Sequence, residues 1–139
     1  MKGILSTHLK NVESGIDIEG HLLVLKELIS ETTNPDNTHC VILQHLIPTT
    51  VEYIERMNTI YPVDLVIGIV YSADESTVQL LRAKGFNVHI HADINDMLDN
   101  SWKLIDDLLT KNSYPLMIQE VGGYFAKWTA HGRYTFETC

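Results

Sequence analysis

Four short stretches of this chain carry side chains that can move protons or hold hydroxyl groups: Gln44-His45, Tyr71-Ser72 with Asp74, His91 with Asp93, and Glu120 ahead of Gly122-Gly123. Acid–base chemistry suits them. An imidazole has a reference pKa of roughly 6.5, close to working pH, so His45 could give or take a proton. A carboxylate such as Glu120 can accept two hydroxyl groups at once. Read singly, each residue also has a structural role to fill. Ser72-Ala-Asp-Glu75 has the form of an S-x-x-E capping box, and His45 could be a hydrogen-bonded structural histidine. His89 and His91 alternate onto one face of a strand near Asp93, but two histidines without a wider ligand set do not make a metal site, and none is expected.

Each polar stretch directly follows an apolar run, and that arrangement sets the fold. The stretch His39–Thr50 is the pattern for the rest: the burst Cys40–Leu43, the pair Gln44-His45, then a helix opened by Pro48, where a missing N–H costs nothing. Strands are expected at Cys40–His45, Val63–Val70, Phe86–His91 and Tyr114–Gln119. Between them, helical spacing marks Val51, Ile54 and Met57, then Val78 and Leu81, then Met97, Ile105 and Leu109. A further helix is expected over Gly20–Glu31, and a last helix or loop after the fourth strand, with no evident terminal element at the end. Strands separated by helices of roughly 10–15 residues predict a three-layer α/β/α domain with a parallel sheet, Rossmann-like or flavodoxin-like. The strand order expected is 2-1-3-4. In such a sheet all strand ends converge on one edge, where ligands bind.

Composition narrows the function. The 139 residues make one domain, and the formal charge of −8, with ten scattered Lys and Arg, argues against nucleic acid or an anionic membrane surface as partner. No apolar run reaches the roughly 18 residues of a membrane span, and the first residues lack a signal-peptide core. Two cysteines do not make a disulfide framework, so a reducing cytoplasm is expected. There is no G-x-G-x-x-G, no phosphate loop and no G-x-S-x-G elbow.

From Gln44-His45-Leu-Ile-Pro-Thr-Thr50 onward, the sequence resembles the substrate domain of the S-adenosylhomocysteine hydrolase family. That family's H-x-T-x-(E/Q)-T places its histidine at His45 and its second threonine at Thr50, with Ile47 at the first threonine and Thr49 at the Glu/Gln. Its C-N-x-x-S-T-Q-D is similar to the run from Gly68 through Ser72 and Asp74 to Glu75. Its (M/I)-I-L-D-D-G-G-D is similar to the run from Met117 to Tyr124, with Val121 at the second carboxylate. Its E-E-T is similar to Phe136-Glu137-Thr138. The resemblance implies a NAD-dependent enzyme acting on a nucleoside-like substrate. His45 and Glu120 would be its catalytic residues, and Thr49, Thr50, Ser72, Asp74, Glu137 and Thr138 would contact substrate. It also implies that NAD is held by a second domain lying outside these residues, so that this chain alone is inactive. A stand-alone binding module of flavodoxin-like shape is the competing reading. A small-molecule ligand is expected in either case, and self-association into a homo-oligomer is left open.

Overall fold

The computed structural model describes residues 33–125 and 134–138, the last five by backbone alone, so the expected helix over 20–31 lies outside the described residues. The apolar bursts become the strands. In β1 (His39–Gln44), Cys40, Val41, Ile42 and Leu43 are all fully buried, as expected of a strand covered on both faces. Helix α1 (Pro48–Ile60) starts on the proline and ends where the Tyr61 N–H reaches the Met57 carbonyl. Strand β2 (Val63–Gly68) is shorter than expected, because a 3-10 turn takes Val70–Ser72.

Helix α2 (Glu75–Ala83) is capped by Asp74, not Ser72. The Asp74 carboxylate accepts the Thr77 N–H at 3.0 Å and the Thr77 hydroxyl at 2.8 Å. Glu75 instead accepts a hydrogen bond from Gln79, one turn on. The S-x-x-E reading is therefore corrected: the helix starts two residues later than that motif requires, and Ser72 is released from capping.

Strand β3 is only Val88–His89, against an expected Phe86–His91. Phe86 still donates its N–H to Leu81 and so closes α2, and pairing to β2 begins with the Asn87 carbonyl. Helix α3 (Ile94–Lys111) is capped by Asp93. Strand β4 (Leu116–Glu120) follows, and β5 (Tyr134–Thr138) is a terminal strand that the sequence pattern did not disclose.

Every pairing is parallel, and the order is β3-β2-β1-β4-β5. The parallel α/β architecture expected from the sequence is present, but the expected order is not. After β3 the chain changes face. Val51 and Ile54 of α1, and Val78 and Leu81 of α2, pack with Cys40, Ile42 and Val66 on one side. Met97, Ile105 and Leu109 of α3 pack with Val41, Leu43 and Ile118 on the other. The crossover through α3 thus carries β4 to the open side of β1. This makes a doubly wound, three-layer Rossmann-like sheet whose order reverses between β1 and β4.

The strand starts are tied together at the opposite edge. Asp64 of β2 sits 3.0 Å from the His39 Nδ1 of β1 and accepts the Tyr114 hydroxyl at 2.6 Å, just before β4. The His39 and Tyr114 rings stack at 3.5 Å. Among the described residues, no helix is long and apolar enough to cross a membrane.

Candidate functional site

Helices α1 and α3 leave β1 and approach β4 on opposite faces, so the carboxyl ends of these two strands lie at the switch point, where doubly wound sheets open a crevice for ligands. His45 is the first residue beyond β1. Its backbone N–H is held at 3.0 Å by the Gln44 side chain, and its Nδ1 lies 2.5 Å from the Ser72 Oγ at the end of the 3-10 turn after β2. The Tyr71 ring packs against the imidazole edge to face, centroids 6.1 Å apart. Tyr71 also makes a 3.0 Å hydroxyl–hydroxyl bond with Tyr124, which links the exits of the two strands flanking β1. Tyr71 is 67% exposed, unusual for a large ring, so this bond presents an aromatic surface at the crevice.

Glu120 ends β4 opposite Leu43, two residues short of His45 on the neighbouring strand. It is fully buried. Its Oε2 accepts the Phe125 N–H at 3.0 Å, while Oε1 has no hydrogen-bond partner among the described residues. Burial pushes its pKa up, and the N–H groups of Phe125 and Tyr124 pull the other way less strongly. The turn that supplies those N–H groups depends on Gly122 and Gly123, both at positive φ (87° and 69°). A Cβ on Gly122 would sit 2.8 Å from the Tyr124 ring. The turn lets Phe125 fold back into the core and Tyr124 reach Tyr71.

Of the residues expected to form a site, His45, Ser72 and Glu120 thus sit at the exits of three adjacent strands, β1, β2 and β4. Others are committed elsewhere. The Asp74 carboxylate is occupied by Ser76 and Thr77, and these bonds hold its pKa down. The Thr50 hydroxyl accepts the Ile47 N–H at 3.1 Å and donates to the Ile47 carbonyl at 2.7 Å, closing the start of α1. Thr49 lies half-buried in the same first turn. The backbone of β5 puts Glu137 beside Gln119 and Thr138 beside Glu120, at the same edge. Tyr124 is the participant that sequence reasoning passed over; the Gly-Gly-Tyr turn was its only signal.

The β3 exit stands apart. The His89 and His91 rings are 6.2 Å apart, and His91 Nδ1 is 3.9 Å from Asp96. Burial, the neighbouring His91 and Arg82 all lower the His89 pKa. Among the described residues no group of three or more His, Cys, Asp or Glu is placed to hold a metal ion.

A dinucleotide does not fit the first strand–helix turn. Gln44 to Thr50 contains no glycine for a pyrophosphate to approach, and Pro48 removes an N–H from the helix start. By fold, the chain is a doubly wound, Rossmann-like α/β domain with polar groups gathered at its switch point. Comparison with family models, curated proteins and solved structures finds no match to it.

Proposed function

We propose that the crevice between β1 and β4 binds a small, uncharged, hydroxyl-rich molecule of nucleoside type. In this reading the domain is the substrate-binding half of an adenosylhomocysteinase-like, NAD-dependent enzyme whose cofactor is held outside these residues. The observation that supports it is the His45–Ser72 contact of 2.5 Å at the topological switch point, with an unpaired Glu120 oxygen on the adjacent strand. Imidazole, hydroxyl and carboxylate together recognise hydroxyl groups through hydrogen bonds, and the exposed Tyr71 ring offers a base a stacking surface. His45 serves as the acid or base, and Glu120 grips the sugar hydroxyls.

A second reading is favoured by one position. Val121 stands where the resemblance asks for a second carboxylate, and it packs against the core instead. With that group missing, a binding module without turnover remains the competing conclusion. Titration calorimetry with adenosine and related nucleosides tests the binding step common to both. His45→Ala and Glu120→Ala are each expected to weaken binding at least roughly tenfold, about 1.4 kcal/mol, and His89→Ala far less. Absence of nucleoside binding by the unaltered chain, or undiminished binding by both variants, would sink the proposal.

A further inference from the structure

The Ser72 hydroxyl has two ways to satisfy its surroundings, and they leave His45 in different states. Its Oγ lies 2.5 Å from His45 Nδ1 and 3.4 Å from the Ile69 carbonyl. With the hydroxyl turned toward Ile69, Oγ accepts from Nδ1–H, and a neutral imidazole then keeps its lone pair on Nε2. With the hydroxyl turned toward Nδ1, Ser72 donates, and the imidazole proton sits on Nε2. The second state strands no acceptor, because the Ile69 carbonyl already takes the Ser72 backbone N–H at 3.0 Å. The bond given up is the long one, so passing to the second state gives up only a weak hydrogen bond.

Among the described residues, nothing else holds the serine to one state. Asp74 caps α2, leaving Ser72 free of that duty, while the 3-10 turn fixes its backbone. On the imidazole, Nε2 has no hydrogen-bond partner among the described residues and is not a buried orphan, so it is the atom left for a ligand.

We propose that Ser72 is a positioning residue that selects, by rotation of one hydroxyl, whether His45 Nε2 meets a ligand as a donor or as an acceptor. This rests on the reading of His45 as the acid–base group of the crevice, and it names the device that would let His45 serve in both directions. When a ligand hydroxyl gives its proton to Nε2, the imidazole becomes a cation whose Nδ1–H stays hydrogen-bonded to Ser72 Oγ, the serine proton turned to the Ile69 carbonyl, and the charge is discharged when Nε2 hands the proton on.

The test is the tautomer itself, read without ligand by long-range 1H–15N NMR of histidine-labelled protein, at a pH well above the histidine reference pKa of roughly 6.5. In the wild-type chain the two His45 nitrogens are expected at intermediate shifts, reporting both tautomers. Ser72→Ala should move His45 to a different ratio, and Ser72→Thr, which keeps the hydroxyl, should restore the wild-type ratio. His89 and His91 should be unchanged in both variants, which checks the fold. A single His45 tautomer in the wild type, or a ratio unaltered by Ser72→Ala, overturns the proposal; the first needs no variant to fold. Nucleoside titration is read separately: a chain that binds no nucleoside yet shows the tautomer response refutes the functional reading and supports the rotor.

Discussion

Glu120 is the residue on which burial and chemistry conflict most. It is fully buried, accepts the Phe125 N–H on one oxygen and has no described partner for the other. Since burial raises its pKa in the folded chain above the ordinary value of 4.5, the folded state holds its proton more tightly than the unfolded state. The stabilising share of Glu120 is therefore complete below pH 4.5 and is lost as pH rises through the higher folded value. Glu120→Gln keeps an acceptor for Phe125 but does not titrate. Denaturant midpoints measured from about pH 4 to pH 8 should show the wild type losing ground to Glu120→Gln as pH rises. A constant difference between the two across that range contradicts the assignment. The placement of His45 and Glu120 at strand exits was legible in the sequence because each lies one glutamine beyond an apolar run. Ser72 was legible only as a cap, since S-x-x-E describes spacing and cannot say which residue the helix starts on. The hydrogen bond to His45 joins residues 27 apart, and local pattern holds no record of it.

Among the elements, α2 and the strand starts carry the clearest consequences. Asp74, with three hydrogen bonds from Ser76 and Thr77, is the cap that the sequence pattern gave to Ser72. Asp74→Ala, which removes three hydrogen bonds at the helix start, should lower thermal stability more than Ser72→Ala, which gives up the bond to His45; calorimetric midpoints separate the two, and the reverse ranking would return the cap to Ser72. At the other edge, Tyr114→Phe removes the hydroxyl that Asp64 accepts at 2.6 Å. The loss should be about 1 kcal/mol, below the usual range for a hydrogen bond to a charged group because water reaches Asp64. Burial and the Asp64 carboxylate push the Tyr114 pKa up to about 12. Its contribution is then full below the ordinary value of 10 and fades as pH rises through about 12, so the gap between wild type and Tyr114→Phe should close only in strong alkali. An effect of Tyr114→Phe that titrates near neutrality would point to another group. Helix and strand periods located these elements well, yet β3 shrank to two residues because the end of α2 claims Phe86.

Across the whole molecule, periodicity specified how deeply each element is buried but not on which side of β1 the later strands land. A strand buried on both faces reads the same in the order 2-1-3-4 as in β3-β2-β1-β4-β5. What decides is the face that α3 covers, a tertiary choice made by Met97, Ile105 and Leu109 against Leu43 and Ile118. The choice matters for function, since it puts β4, with Glu120, and not β3, with His91, beside His45. It also makes β5 the neighbour of Glu120: the register pairs Leu116 with Tyr134 and Glu120 with Thr138. Deleting residues 134–139 would leave the peptide groups of β4 unpaired along that edge, exposing a template for pairing with another chain. It would also loosen the strand that carries Glu120 at its end. The shortened chain is expected to melt several degrees lower, to associate at high concentration in light scattering, and to bind nucleosides more weakly. A second truncation, removing only Cys139, should do none of these, because the described pairing to β4 runs through Thr138. Equal melting temperatures for the two truncated chains would mean that β5 adds nothing to the sheet, and the edge beside Glu120 would then have to be β4 alone.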